Sequence, residues 1–214
     1  MLIDNKQYPQ GNSNGIQTVW DFIHYYTNPA NRQGSFDIAT GFFSIAGLSL
    51  LYKELNPQNK YRIMLGEMAS DDEFLNRVVD LLAGDSSIEN AFQLSEYAQN
   101  AIAFLKQATV DVKKVNNAFC HAKAYSFTDN RDDAHDYAIM GSSNLTEAGL
   151  GTKATANVEL NNAETGRNNT MVKEIKDWFK FQWNNVAQAK ITIPLSNGVS
   201  QEKDVKKYLI EQIE

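Results

Sequence analysis

Short, nearly uncharged segments rich in β-branched and aromatic residues alternate with longer stretches of helical spacing, and this alternation restricts the chain to an α/β architecture. Phe36 to Phe43, Tyr61 to Gly66, Val110 to Val115, Ala118 to Phe127, Tyr137 to Met140 and Ala156 to Leu160 read as strands. Helical spacing covers Gly15 to Asn28, Ser44 to Tyr52, residues 71–83 and 88–108, and Met171 to Asn185. The Asn28-Pro29 pair ends the first helix, because the residue before a proline is driven out of helical conformation. Helices both precede and separate the strands, so the predicted fold is a mixed β-sheet sandwiched by helices. At 214 residues the chain suffices for one full core, predicted as a domain over 1–187. Residues 188–214 read as a C-terminal extension, a cap or a link to a further domain, with a helix from Gln201 to Ile213.

Charge and cysteine content narrow the function. A net charge of -6 lacks the global basicity of a stand-alone nonspecific nucleic-acid binder, so any such contact is local or assisted. The single cysteine, Cys120, forms no intramolecular disulfide and supplies no multi-cysteine zinc site, and it reads as a small core residue. The N-terminus shows no basic region followed by an apolar stretch, which suggests a cytoplasmic setting. The longest uncharged run, Ile38 to Tyr52, falls short of the ~18 to 20 residues that span a bilayer, so no membrane partner is expected.

The chemistry lies in three segments: His121-Ala122-Lys123, Gly141-Ser142-Ser143-Asn144 and Asn157-Val158-Glu159-Leu160. Residues two apart in a strand share a face, so a strand here would present the His121 imidazole and the Lys123 ammonium side by side. The small, polar turn Gly141 to Asn144 can aim hydroxyl, amide and backbone N–H donors at an anion. Glu159, between Val158 and Leu160, needs a polar partner and could orient a histidine.

These segments, in this order, resemble the phospholipase D superfamily, whose motif is H-x-K followed by G-S-x-N. His121, Lys123, Gly141, Ser142 and Asn144 match it. The continuation from Leu145 to Leu150, and the glutamate at 159, look like the nuclease and restriction-endonuclease branch. The upstream Gly41-Phe42-Phe43-Ser44-Ile45-Ala46-Gly47-Leu48 is similar to that branch's first strand and helix, so the likeness covers Phe36 to Leu160. The usual aspartate of an H-x-K-x4-D pattern is replaced by Thr128, with Asp129 one residue late.

The resemblance implies a metal-independent phosphodiesterase with no cofactor, most plainly a nuclease with DNA favoured over RNA. In it His121, Lys123, Asn144 and Glu159 are catalytic, and Gly141, Ser142 and Ser143 hold substrate. One motif per chain implies a homodimer that pools two histidines, in a restriction or helicase-associated system with a fused or associated helicase or DNA-recognition domain. A lipid or small phosphodiester hydrolase stays open as an alternative, as does a non-catalytic DNA-binding or dimerisation module. Asp129 to Asp136 is expected to be an exposed charged hairpin carrying a solvated His135. His24 and the aromatic set Trp178, Phe179, Phe181 and Trp183 are expected to be structural.

Overall fold

The computed structural model describes residues 1–5, 15–27, 32–66, 88–115, 120–153, 157–194 and 199–214. The helix expected over 71–83 and positions 118 and 119 of the expected fourth strand lie outside them.

The strand-forming segments assemble into one eight-stranded sheet. Its order is β1 (Leu2–Ile3), β7 (Asn161–Thr165), β6 (Tyr137–Gly141), β5 (Ala124–Asp129), β2 (Gly34–Thr40), β3 (Lys60–Leu65), β4 (Val110–Val115) and β8 (Ala187–Gln188). The central trio β2, β3 and β4 is parallel, while β5, β6, β7 and β1 continue from β2 in antiparallel pairs. Alternating direction has one functional consequence. The C-terminal ends of β2 and β6 and the N-terminal ends of β5 and β7 all fall at the same end of the sheet, as the pairs Ala39↔Ala124, Ala124↔Met140 and Gly141↔Asn161 show.

Helices cover both faces, as the mixed-sheet expectation requires. On one face α1 (Val19–Thr27), α2 (Ile45–Glu54), α3 (Ile88–Lys106) and α6 (Val205–Ile213) meet sheet residues Phe36, Ile38, Tyr61, Phe127 and Tyr137 in the main core. Phe36 packs edge-on against Tyr61, Phe127 and Tyr137 at 6.1 to 6.4 Å between ring centroids. The Tyr137 hydroxyl shares a hydrogen bond of 2.7 Å with Thr27, so its burial leaves no polar penalty. The short α4 (Glu147–Leu150) sends Leu150 into the same core.

On the opposite face α5 (Thr170–Asn185) packs Phe179 and Trp183 over Ala39, Met64, Val115 and Ala124. Their rings stack at 5.8 Å, with the Arg62 guanidinium 5.3 Å from Phe179 and Lys113 Nζ 4.8 Å from Trp183. Arg62 is itself held bidentately by the buried Asp37 at 2.7 Å on both arms. The aromatic cluster is thus largely packing; only Phe181 turns outward, at 59 % exposure.

Four local expectations need correction. The strand expected over Ala118 to Phe127 begins at Ala124, because its neighbour β2 ends at Thr40 and turns into α2, leaving residues 120–123 extended but without that partner. The strand expected over Ala156 to Leu160 begins instead at Asn161. Here Ser142 intervenes: its N–H donates to Leu160 O and its Oγ accepts from Leu160 N, so a side chain replaces a ladder rung. The tail helix starts at Val205, since residues 200–204 form β10 (Ser200–Asp204) against β9 (Lys190–Pro194), and Asp204 then caps the helix by accepting from Lys207 N. Lastly, the expected exposed hairpin has a buried base: Asp129 and Asp136 are 2 % and 0 % exposed, while a 3-10 turn, Asp133–His135, bulges above them.

Candidate active site

Four connections meet at one end of the sheet. After β2 the chain turns through Gly41 to Ser44 into α2, whose first turn is capped by Ser44 Oγ accepting from Gly47 N at 3.0 Å. Before β5 runs the segment carrying His121 and Lys123; after β6 come Ser142 to Asn144; before β7 lies Glu159. Strand alternation persists outside the ladder, for Cys120 and Ala122 pack with Ala124 toward α5, away from the side that His121 and Lys123 take.

His121 is exposed, and its ring lies close to Gly41, where an added Cβ would stand 3.4 Å from Cδ2. Lys123 is buried, at 6 % exposure, and its Nζ donates to the His121 carbonyl at 3.0 Å. Burial pushes the Lys123 ammonium below its ordinary range, against the pull of the Glu159 carboxylate and of Cys120. An ammonium has three donors, so one N–H fixes the chain and two remain for an anion.

Glu159, 9 % exposed, is held from two sides: Ser142 Oγ donates a short hydrogen bond to Oε2 and Asn157 Nδ2 donates to Oε1 at 3.2 Å. Its exposed neighbours Val158 and Leu160 point outward at 76 % and 63 %. Asn144 Oδ1 accepts from Phe42 N at 3.0 Å, so its amide presents Nδ2 as a donor. Gly141 has a steric reason to be glycine: a Cβ there would stand 2.3 Å from Leu160 O and 2.4 Å from Asn161 Oδ1.

Lys123, Ser142 and Glu159 are therefore brought together, with Asn144 on the neighbouring turn and His121 beside them in sequence. Ser143 takes a different place. It is fully buried; its N–H donates to Asn161 Oδ1, its Oγ accepts from Asn161 Nδ2 at 2.9 Å, and its carbonyl accepts from Tyr125 at 2.8 Å. Burial and the nearby Glu159 raise the Tyr125 phenol far above its usual range, keeping it a neutral donor. Asn161 and Tyr125 thus brace the turn from below. Sequence reading passed over them, and over Phe42 and Asn157 as site residues, because only the strand register puts them there.

Asp129 lies at the far end of β5 from Lys123 and takes no part in this arrangement; its carboxylate accepts from Arg131 N and faces His135 Nδ1 at 3.4 Å. Among the described residues, no three His, Cys, Asp or Glu side chains converge as a metal-binding group, and no helix is long and apolar enough to cross a membrane.

A family model described as "Cardiolipin synthase, PLD-like domain" matches residues 31–183, the stretch that contains every strand and turn of the site. The chain belongs to the phospholipase D superfamily. No curated protein matches the sequence. Membership accounts for the site's composition: a PLD-like domain is built for phosphodiester hydrolysis, and a buried ammonium beside amide and hydroxyl donors suits the phosphate oxygens of such a substrate.

Proposed function

We propose that this PLD-like protein is a metal-independent nuclease that cleaves DNA through a phosphohistidine at a site shared by two subunits. The observation that carries the reading is the buried Lys123, whose Nζ donates to the His121 carbonyl and which feels the charge of the Glu159 carboxylate. A positive charge so desolvated stabilises a pentacovalent phosphorane more strongly than the same charge in water.

His121 Nε2 attacks phosphorus and forms the N–P bond while the P–O bond to the leaving oxygen breaks. A second histidine protonates that oxygen. It then takes a proton from water, whose oxygen attacks phosphorus and releases His121. Glu159 accepts from His121 Nδ1 and stabilises the imidazolium, Ser142 positions Glu159, and Asn144 Nδ2 with Lys123 donates to the phosphate. The turn at Gly141 to Ser143, whose N–H groups are taken up by Lys123 O, Leu160 O and Asn161 Oδ1, holds Asn144 in place. The second His121 and Lys123 come from another copy of the chain, so the active form is a two-fold homodimer. The acidic balance of the chain makes a fused or associated DNA-recognition or helicase domain the source of tight binding.

Sedimentation at micromolar concentration should give twice 24.0 kDa. Mixing His121→Ala with Lys123→Ala chains should rescue nothing, since each mixed site holds one histidine and one lysine; recovery would mean that one histidine suffices. Cleavage of DNA should persist in excess EDTA, because Lys123 carries the charge that a metal ion would otherwise supply. Activity abolished by chelator and restored by Mg²⁺ contradicts this mechanism.

The family description favours one second reading, reaction at a lipid phosphodiester. The exposed Met140, Val158 and Leu160 next to the site residues would face an acyl chain. Turnover of anionic phospholipid vesicles, in preference to DNA, would support it.

A further inference from the structure

A cleft of about 310 Å³ opens at the α2 side of the site, lined by Phe42, Asn144, Glu147, Lys153, Asn157 and Glu159 among others. It shares Asn144 and Glu159 with the catalytic arrangement, so whatever fills it lies next to the reacting phosphate. We infer that this cleft is a nucleobase subsite, and that the substrate is therefore a single-stranded or unpaired nucleotide rather than intact duplex. The inference rests on the phosphodiesterase reading and names its substrate class.

The lining decides between ligand types. Its charged members are two carboxylates, Glu147 and Glu159, against one ammonium, Lys153, so a second phosphate would meet net repulsion. A nucleobase is flat, neutral and edged with donors and acceptors. Phe42 offers an aromatic surface, and stacking on one is tolerant of base identity. The Glu147 carboxylate takes a hydrogen bond from Tyr97 on Oε1 at 3.3 Å, which occupies one site on that oxygen and leaves lone pairs for an exocyclic amino group. Asn144, whose Oδ1 is committed to Phe42 N, presents Nδ2 as a donor. A base stacked inside a duplex cannot reach such a cleft without being extruded, whereas an unpaired one enters freely. Base contacts would also supply affinity that an acidic chain cannot draw from the phosphate backbone.

Binding and turnover separate the two readings. Fluorescence anisotropy of a short labelled DNA strand on full-length protein carrying His121→Ala, which cannot cut it, should show about tenfold tighter binding than the same strand made abasic. Phe42→Leu, apolar but without a ring, should erase that difference, and Phe42→Tyr should retain it. Equal affinity for intact and abasic strands, or a difference indifferent to Phe42→Leu, overturns the subsite. Phe42-dependent displacement of the strand by glycerophosphocholine would assign the cleft to a cationic headgroup and overturn it equally. Cleavage of the abasic strand by the unsubstituted protein tests the phosphodiesterase reading by itself: if no strand is cut while base-dependent binding persists, the reaction fails and the nucleobase subsite stands.

Discussion

His121→Ala should leave no turnover above the uncatalysed background. In the proposed mechanism the substitution removes the nucleophile from both halves of a shared site, and with it the general acid that the partner copy would contribute. Glu159→Gln should behave differently. Glutamine keeps the side-chain shape, and its Oε1 can still accept from Asn157 while its Nε2 donates to Ser142 Oγ, but the negative charge that stabilises an imidazolium is gone. General acid–base assistance is worth ~10² to 10⁴ in rate, and the variant should be slower by about that factor without being dead. Single-turnover cleavage of a labelled strand, with circular dichroism to confirm folding, checks both. His121 is exposed, so its truncation should cost little stability. Equal loss in the two variants would show that Glu159 acts as more than a support, and undiminished cleavage by His121→Ala would remove the phosphohistidine.

Asp136→Ala should be among the most destabilising single changes outside the apolar core, while leaving the site's residues in place. Asp136 is fully buried and accepts from Arg167 Nε at 2.8 Å, Lys176 Nζ at 2.7 Å and Asp129 N at 2.8 Å. Removing it takes the carboxylate from Lys176 and from the buried Asp129 N–H, while the partly exposed Arg167 keeps Asp133 and the Asp129 carbonyl. The cost should therefore fall at or below the low end of the ~3 to 5 kcal/mol of a broken buried pair. Urea denaturation measures the loss, and Asp136→Asn, which keeps an acceptor but not the charge, should lie between. The same cluster predicts a pH dependence. Burial by itself would raise the Asp136 carboxyl, but hydrogen bonds from Arg167, Lys176 and the Asp129 backbone outweigh it and hold the carboxyl below its ordinary range. Its contribution is therefore complete above the unfolded value of about 4 and is lost as pH falls through the lower folded value. Asp37, raised by burial against the opposing Arg62, runs the other way. Acid titration of Asp136→Asn should accordingly show a shallower loss of stability below about pH 4.

The strands β3 and β4, the helices α2, α3 and α5, and the His121, Lys123, Gly141, Ser142, Asn144 and Glu159 pattern were legible in the chain. Each depends on local periodicity or on a short spacing that neighbouring residues carry by themselves. Residues 120–123 and 157–160 were misread as ladder strands for a complementary reason. Their composition suits a strand, but a ladder needs a partner, and whether β2 or β6 extends far enough to supply one is not written in either segment. The tail was misread similarly, since the charges of Gln201 to Asp204 fit a helix surface and an exposed hairpin equally well.

By itself, then, the sequence determined an α/β chain of the phospholipase D superfamily and the motif positions from His121 to Glu159 on which the proposed phosphate chemistry rests. Tertiary structure alone decided their standing. Antiparallel pairing of β5, β6 and β7 beside the parallel trio gathers segments separated by up to about 120 residues at one sheet end, where Lys123 loses its water and Glu159 gains Ser142. It also turned Ser143 inward onto Asn161, and it made Asp129 and Asp136 a buried anchor instead of a solvated loop. Burial and pairing are properties of neighbours far apart in the chain, and no local pattern encodes them.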